Sequence, residues 1–257
     1  MNVSEEFLTD GGYGAGAVVL VRDDILGATV RKPATPATPS VHAFLAHLAN
    51  VGFRGAPRSF GIDEQGRHVV EYIPGTMADT MGPMSHDELA RLGVLVRDLH
   101  DAAATFALPP DAHWEVGIPA PTDDIICHHD LAPWNLVRDG DRWVFIDWDG
   151  AGPGSRLWDL AYVAHAFLPL SPGGDPAVDG PRLRNLVDGY GLSSTHRPDL
   201  VQLTADHTRG MYDLLVDGAR TGTEPWATLH AAGHADHWGP AADYISRHRG
   251  DLRAALR

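Results

Sequence analysis

The segments HHDLAPWNLV, residues 128–137, and VFIDWDG, residues 144–150, decide the fold of this chain. Asp130 is followed five residues later by Asn135, and Asp147 stands between apolar Phe-Ile and an aromatic residue. Phosphoryl transfer requires a carboxylate that orients the acceptor hydroxyl and receives its proton, together with oxygen ligands for magnesium. Asp130 is the candidate for the first role, and Asn135 and Asp147 are the candidates for the second.

The two segments are expected to form one hairpin. Asp139-Gly140 lies between two apolar runs and predicts a type I′ turn, which places residue 135 opposite residue 144. Asp147 would then lie three residues further along, roughly 10 Å away at the backbone, and two side chains leaning over one cation could close that gap. Asp149 is interpreted either as a further magnesium ligand or as a polar loop residue.

Hydrophobic periodicity divides the chain into two parts. The first 75 residues show the pattern β-β-α-β-β, with short valine-rich strands and a helix over residues 39–53. The next segment, 85–104, begins with the capping box Ser85 and Glu88 and continues with a helical apolar face. From residue 157 onward the patterns are helical. We therefore predict an α+β fold with an N-terminal lobe at 1–75 and a larger, helical lobe at 76–257.

Composition excludes several classes of protein. The net charge of −14 argues against nucleic-acid binding, which needs a basic surface. No apolar run is long enough for a membrane span, and the first residues lack the features of a signal peptide. The single cysteine, Cys127, cannot form an intramolecular disulfide, and we expect a cytoplasmic protein without a membrane or nucleic-acid partner.

At these residues the sequence resembles the aminoglycoside phosphotransferase family, which shares the protein-kinase fold. The resemblance rests on His128-His129-Asp130 with Asn135, on Phe145–Asp149, and on Asp159-Leu160-Ala161 further along. It extends upstream to TVRKP, residues 29–33, and VVEYIPG, residues 69–75, and covers roughly residues 10–170. It implies ATP or GTP and Mg²⁺ as cofactors, Asp130 as the catalytic base, and Asn135, Asp147 and Asp149 as metal ligands.

The resemblance also implies a nucleotide site in the N-terminal lobe. Gly12 and Gly14 lie in the glycine-rich segment expected to approach the phosphates, and the backbone from Glu71 to Ile73 is expected to meet the nucleotide base. Arg31 is favoured over Lys32 as the cation that pairs with the phosphates, because the family often has arginine at this position. Neighbouring strand residues face opposite sides, so only one of the two reaches the nucleotide.

Some residues depart from the family pattern or remain open. The helix at 39–53 contains no acidic residue, whereas kinases place a glutamate there to pair with the phosphate-binding cation. His129 replaces a glycine, and its role is open. His128 is expected to brace the loop, and Asp159 to cap its helix and support the loop. His230, His234 and His237 share a helical face, but glycines interrupt the stretch, so a zinc site is the less favoured interpretation.

The sequence therefore predicts a small-molecule phosphotransferase, with antibiotic resistance as one context. A housekeeping kinase of the choline or homoserine type is the alternative within enzymes, and a non-catalytic immunity or binding protein is the alternative outside them. Residues 78–257 carry a net charge of −12, against −2 for residues 1–77. This asymmetry indicates either a solvated acidic surface that keeps the protein soluble or an acidic cleft for a cationic ligand. The second interpretation predicts a cationic hydroxylated acceptor, with Asp213, Asp217 and Glu224 as candidate contacts.

Overall fold

Short apolar strands build a sheet at the N-terminal end of the chain. The computed structural model describes residues 3–9 and 17–257, and the first part of it is a five-stranded antiparallel sheet in the order β1-β2-β3-β5-β4. The strands are β1 (Ser4–Thr9), β2 (Val18–Asp23), β3 (Gly27–Pro33), β4 (Ser59–Ile62) and β5 (Arg67–Glu71). The predicted β-β-α-β-β order is therefore present, with β1 added at the edge.

One helix joins β3 to β4. Helix α1 (Thr38–Asn50) has Pro39 in its first turn, and it buries Val41, Phe44, Leu45 and Leu48. These positions follow the i, i+3, i+4, i+7 spacing of a helix with one apolar face. The same side chains belong to the main hydrophobic core, which continues into the C-terminal part of the chain. The helix therefore links the sheet to the rest of the molecule.

The rest of the chain is mostly helical. Its helices are α2 (His86–Ala103), α3 (Arg156–Phe167), α4 (Pro176–Tyr190), α5 (Arg197–Thr221), α6 (Trp226–Ala231), α7 (Ala235–Arg247) and α8 (Arg249–Ala255). Two small antiparallel sheets carry the motif segments, and they contain β6 (Thr76–Met77), β7 (Ile125–Cys127), β8 (Leu136–Asp139), β9 (Arg142–Phe145) and β10 (Gly152–Gly154). Strand β6 begins directly after residue 75 and pairs with β8. The lobe boundary at residue 75 stays a prediction.

Helix α2 begins as the sequence predicted. The Ser85 hydroxyl accepts a hydrogen bond from the Glu88 backbone N–H, and the Glu88 carboxylate accepts one from the Ser85 N–H. Helix α2 then packs closely against α4. A Cβ added to Gly93 would lie 2.2 Å from the Leu186 carbonyl oxygen and 2.5 Å from the Tyr190 nitrogen. The absence of a side chain at this position lets the two helix backbones approach each other.

The hairpin that carries the motif has a different register from the predicted one. Leu136 pairs with Phe145 and Asp139 pairs with Arg142, so the two turn residues are Gly140 and Asp141. The predicted turn, Asp139-Gly140, is therefore wrong by one residue. Asn135 consequently lies opposite residue 146, whose N–H donates to the Asn135 carbonyl at 2.8 Å. The shift brings Asn135 next to Asp147 in the pairing instead of three residues away.

Two smaller corrections concern the ends of the chain. The edge strand β1 has no counterpart in the sequence prediction. At the other end, the helical pattern predicted from residue 157 onward is broken by a turn at residues 232–234, which separates α6 from α7. Within residues 3–9 and 17–257 no helix combines the length and the apolar character needed to cross a bilayer.

Candidate active site

A buried aspartate on helix α3 holds the loop that follows β7. The two carboxylate oxygens of Asp159 accept the backbone N–H groups of His128 and His129 at 3.3 and 3.0 Å, and His100 lies 3.2 Å away. Burial alone would raise the pKa of Asp159, but the hydrogen bond and charge interaction with His100, together with the nearby His129 and His128, outweigh it and lower that pKa to about 2. Helix α3 is capped instead by Ser155. Asp159 therefore supports the loop, and the expectation that it caps its helix is wrong.

His128 braces the same loop from inside the core. Its side chain is fully buried, its Nε2 lies 3.0 Å from the Ile146 carbonyl, and its Nδ1 accepts the Asp130 backbone N–H at 3.2 Å. Burial lowers the pKa of His128, so the imidazole is neutral and has one donor and one acceptor to use. These two bonds tie the loop carrying Asp130 to the strand end that precedes Asp147.

Two non-glycine residues of the site have left-handed backbone conformations. His129 has φ +65° and Asp147 has φ +61°. Such conformations are strained for residues with a Cβ, and they tend to cluster at functional sites. The value at His129 explains why the family has glycine at this position. The His129 ring compensates by lying within hydrogen-bond distance of the Gly152 and Pro153 carbonyls, at 3.2 and 3.1 Å.

The carboxylate of Asp130 is held by two donors. The Asn135 amide Nδ2 donates to Oδ2 at 2.7 Å, and the Tyr162 hydroxyl donates to Oδ1 at 2.7 Å. Burial raises the pKa of Asp130, and the hydrogen bond from Tyr162 opposes that shift. The arrangement presents a fixed carboxylate in the loop after β7, as a general base would require.

Lys32 and two carboxylates meet beside this loop. The Lys32 ammonium lies 2.5 Å from Asp147 Oδ1 and 2.7 Å from Asp149 Oδ2. Burial would lower the pKa of Lys32, but the two carboxylates outweigh it and raise the pKa, so the ammonium stays charged. Lys32, on strand β3 of the N-terminal sheet, thus contacts the segment that follows β9.

The residues around this ammonium have the chemistry of a magnesium site. Two carboxylate oxygens, from Asp147 and Asp149, converge on one cation. Asn135 turns its amide nitrogen toward Asp130, so its Oδ1 is the atom that would bind a metal. Magnesium prefers oxygen ligands from one or two carboxylates together with substrate phosphates, and this set of donors fits that preference.

The structure reverses the order of preference between Arg31 and Lys32. The Arg31 guanidinium points to the other side of β3, where it pairs with Asp23 at 3.1 Å and Asp63 at 3.3 Å. Because side chains alternate along a strand, Lys32 faces the motif segments and Arg31 faces away from them. The sequence preference for Arg31 is corrected, and Lys32 is the cation that the fold brings to the site.

Helix α1 contributes a histidine beside the site. His42 Nε2 lies 3.2 Å from His68 Nδ1, with the rings stacked, and His68 Nε2 lies 4.0 Å from Asp149 Oδ1. Burial and the nearby Lys32 lower the pKa of His68 to about 3, so this imidazole is neutral. Two imidazoles therefore occupy the helix side of the site, and the carboxylate partners of Lys32 come from the segment 147–149.

The other predicted nucleotide contacts are not brought to this cluster by their side chains. Glu71, at the end of β5, accepts hydrogen bonds from Arg142 and from the Arg58 backbone. Ile73 is buried against Val137 and Val144. Their backbone contact with a nucleotide base stays a prediction. The predicted Gly12 and Gly14 lie outside the described residues.

The candidate acceptor contacts and the candidate zinc histidines lie on or beside the C-terminal helices and not in the cluster around Lys32. Asp217 pairs with Arg220 at 2.7 Å, and Glu224 accepts the Thr228 N–H at 3.2 Å, while Asp213 is exposed. His237 contacts His165 of α3, with 3.3 Å between the Nε2 atoms. Across residues 3–9 and 17–257 no three histidine, cysteine or acidic side chains group around a point as a metal site would need, so the less favoured interpretation of the histidines as a zinc site has no support.

Sequence patterns did not identify Tyr162 or His68 as parts of the site. Tyr162 lies one turn after Asp159 on α3, and His68 pairs with Lys32 across β3 and β5. Both become recognisable only through contacts between elements distant in sequence. The position of Tyr162 three residues after the Asp-Leu-Ala aspartate is the one local signal, because residues i and i+3 share a helix face.

Residues 111–191, which contain the loop and both motif segments, match the model of the phosphotransferase enzyme family. The trifolitoxin immunity protein of Rhizobium leguminosarum bv. trifolii is 29% identical over 258 residues, covering 95% of this chain and 97% of that protein.

The fold has solved counterparts. An amicoumacin kinase in complex with AMP-PNP and Ca²⁺ superposes with a TM-score of 0.66 at 14% identity, covering 97% of this chain and 88% of that one. A choline/ethanolamine kinase family protein from Mesorhizobium loti gives 0.60 at 17% identity, covering 98% and 92%. A microcompartment-associated aminopropanol kinase gives 0.62 at 16% identity, covering 100% and 94%. At these identities the likeness shows the fold.

The chain has the two-lobed protein-kinase-like fold that the sequence predicted, with a β-rich N-terminal region and a helical C-terminal region. The predicted resemblance to the aminoglycoside phosphotransferase family is confirmed by the family match together with the fold. The match to the phosphotransferase family model over residues 111–191 supports an enzyme of the kinase type.

Proposed function

We propose that this protein transfers the γ-phosphate of ATP or GTP to a hydroxyl group of a small molecule. The observation that carries the proposal is the convergence of Lys32, Asp147 and Asp149 beside the clamped carboxylate of Asp130. These are the charges that phosphoryl transfer requires, a cation for phosphates, oxygens for a metal and a base for the acceptor. The complex of the amicoumacin kinase with AMP-PNP and Ca²⁺ supports a nucleotide and a divalent cation as cofactors.

Each residue has one proposed role. Asp130 orients the acceptor hydroxyl and receives its proton as the bond to phosphorus forms. Lys32 pairs with the phosphates, and Asn135, Asp147 and Asp149 would hold magnesium, which neutralises phosphate charge when bound. His128 and Asp159 keep the loop in place. The proposed compartment is the cytoplasm, in line with the single, buried Cys127.

The proposed acceptor is a small, hydroxylated and cationic molecule, in the manner of an aminoglycoside antibiotic. Support comes from the net charge of −12 on residues 78–257, which raises the local concentration of cations. The kinases of similar fold act on amicoumacin and aminopropanol by their names, so the fold accommodates different small acceptors. Rates with such an acceptor should fall as salt shortens the Debye length from about 30 Å at 0.01 M to about 8 Å at 0.15 M.

An immunity or binding protein without catalysis is the second candidate. It is favoured by the match to the trifolitoxin immunity protein over 95% of this chain, and by helix α1, which has no acidic residue. The clustered Asp130, Asn135 and Asp147 favour catalysis. The two proposals also combine, because a protein can confer immunity by phosphorylating a hydroxyl of the toxin.

Nucleotide binding separates the candidates in a first experiment. Calorimetry with AMP-PNP should show tighter binding with magnesium than without it for the wild type, because the ion bridges carboxylate and phosphates. Asp147→Ala should lose this magnesium effect. Asp188→Asn is the matched control, since Asp188 pairs with Arg197 at the molecular surface. A full magnesium effect in Asp147→Ala would place the metal elsewhere.

Turnover provides the second experiment. A panel of antibiotics and hydroxylated metabolites is incubated with ATP and magnesium, and a mass increase of one phosphate identifies the product. Asp130→Asn should lower turnover by roughly 10² to 10⁴, the usual contribution of a positioned base, with little change in AMP-PNP affinity. Nucleotide binding without turnover on any acceptor or water would favour the binding protein.

A further inference from the structure

Tyr162 makes a contact with the proposed base that no family motif assigns. Its hydroxyl donates to Asp130 Oδ1 at 2.7 Å, while Asn135 holds Oδ2 at the same distance. The Tyr162 side chain is 2% exposed. Burial and the neighbouring Asp130 carboxylate raise the pKa of Tyr162 far above its ordinary value, so the phenol stays protonated and acts as a donor.

Two opposed donors fix the orientation of a carboxylate. With one oxygen held by Asn135 and the other by Tyr162, the plane and rotamer of Asp130 are set before any acceptor binds. Hydrogen bonds to a charged acceptor are the stronger ones, so the clamp is a stiff one. Each oxygen retains lone pairs for an incoming hydroxyl. The clamp therefore prepares the geometry that proton transfer needs.

The tyrosine is itself held rigidly. Its ring lies against His207, with centroids 4.9 Å apart, and is stacked with Trp238 at 6.3 Å. On α3 it follows Asp159 by one turn, and Asp159 binds the backbone N–H groups of His128 and His129. One face of α3 thus binds the loop that carries Asp130 at two points. Asp159 binds the loop backbone, and Tyr162 binds the Asp130 side chain.

We propose that Tyr162 is a positioning residue that orients Asp130 for proton transfer, an inference that rests on the proposed phosphotransferase function. The phenol reaches the reaction through Asp130 and is not assigned a contact with the acceptor. Asn135 can hold only one carboxylate oxygen of Asp130. Without the Tyr162 hydroxyl, the other oxygen loses its donor and the carboxylate samples further rotamers.

The kinetic test uses ATP hydrolysis, for which no acceptor needs to be identified. Tyr162→Phe keeps the ring and removes the hydroxyl. Turnover of ATP should fall about 10- to 100-fold, the range expected when a catalytic group is misplaced, while KM for magnesium-ATP changes less than about twofold. A merely structural role would lower the amount of folded enzyme without this split between kcat and KM. An unchanged kcat in a folded variant would overturn the inference.

Tyr244→Phe is the matched control. The Tyr244 hydroxyl likewise donates to a buried aspartate, Asp179, at 2.9 Å. Tyr244 lies on α7 and Asp179 on α4, so this hydrogen bond does not involve the loop that carries Asp130. The two variants remove the same kind of hydrogen bond, and only Tyr162→Phe should lower kcat. An equal fall of kcat in both variants would attribute the effect to general stability and overturn the positioning role.

A spectroscopic test does not depend on turnover. With ¹³Cζ-labelled tyrosine, the NMR resonance that disappears in Tyr162→Phe is that of Tyr162. It should shift in Asp130→Asn, because the accepting carboxylate loses its charge, and should not shift in Asp188→Asn. A Tyr162 chemical shift that is the same in Asp130→Asn as in the wild type would overturn the inference. A wild type that binds nucleotide but transfers phosphate neither to water nor to any acceptor of the panel contradicts the proposed function, and the resonance then decides whether the clamp exists.

Discussion

At the scale of single residues, neighbouring positions on one strand have opposite environments. Lys32 is the only lysine of the chain, and its ammonium contacts Asp147 and Asp149. Arg31, one residue earlier, binds Asp23 and Asp63 on the opposite face of β3. Both cations have two carboxylate partners, so charge alone does not separate them. The strand alternation does, because it points only Lys32 at the motif segments.

Replacement of each cation by methionine tests this assignment. Lys32→Met should weaken AMP-PNP binding about 10- to 100-fold, because a charge-assisted contact contributes about 1.5–3 kcal/mol. Arg31→Met should leave the affinity within about twofold and lower the free energy of unfolding by about 1 kcal/mol through its lost ion pairs. Calorimetry and urea unfolding measure the two effects. The opposite ranking of affinities would restore Arg31 as the phosphate partner.

At the scale of secondary structure elements, close packing of α2 on α4 depends on a missing side chain. Helix propensity alone favours alanine over glycine by about 1 kcal/mol in a helix interior. At Gly93, however, a new Cβ would lie 2.2 Å from the Leu186 carbonyl oxygen, and a backbone atom cannot swing away as a side chain can. The steric effect should therefore exceed the gain in propensity.

Gly93→Ala and Gly250→Ala form a matched pair that tests this reasoning. Gly93→Ala should lower the free energy of unfolding by about 2–3 kcal/mol, as overpacking typically does. Gly250 lies in α8, where an added Cβ would meet no atom within 4 Å, so Gly250→Ala should raise it by about 0.4–1 kcal/mol. Urea unfolding measures both. Equal effects of the two substitutions would show that α2 and α4 separate easily.

The elements also show how far a sequence can be interpreted. Helix α2 was predictable because its capping box and its apolar spacing are local signals. Strand β1 was not, because residues 4–8 of its segment are exposed and show no buried alternation. The turn at Gly140 was found, but its register shifted by one residue, since pairing depends on both strands and not on the turn dipeptide alone.

The candidate site divides in the same way. Asp130, Asn135 and Asp147 were predictable, because they lie in short segments with a fixed order and spacing. The choice of Lys32 over Arg31 required knowledge of which strand face meets the loop. Tyr162 required the packing of α3 against that loop, and this depends on contacts spread over the C-terminal helices. Local motifs thus identify the charged groups, and tertiary packing determines what orients them.

At the scale of the whole molecule, the chain buries several neutral histidines in an acidic protein. The net charge is −14 with histidine counted as neutral, and there are 15 histidines. His165 and His207 are 5% and 2% exposed, and each has a buried Nδ1 without a hydrogen-bond partner among the described residues. Burial lowers the pKa of His165 to about 3 and that of His207 to about 4. The fold therefore tolerates these side chains only in their neutral form.

This burial predicts how stability depends on pH. An unfolded histidine has a pKa near 6.5. Below about pH 6.5 the unfolded chain therefore binds protons at His165 and His207, whereas the folded chain does not. Both folded pKa values are depressed, hence the stabilisation is fully present above about pH 6.5 and is lost as the pH falls toward 4 and then 3. Each histidine contributes a slope of at most about 1.4 kcal/mol per pH unit.

Urea unfolding at pH 7, 6 and 5 measures the dependence. The free energy of unfolding should decrease over this range with a constant m-value, because acid loads protons onto the unfolded chain and does not alter the surface that unfolding exposes. The ring of His165 lies 4.9 Å from that of Trp238, and His165→Leu places an apolar side chain there that cannot take up a proton. The substitution should reduce the slope of the unfolding free energy against pH by the contribution of about one proton. If the slope of His165→Leu equals that of the wild type, His165 accepts a proton in the folded protein, and the buried histidines are not the source of its acid sensitivity.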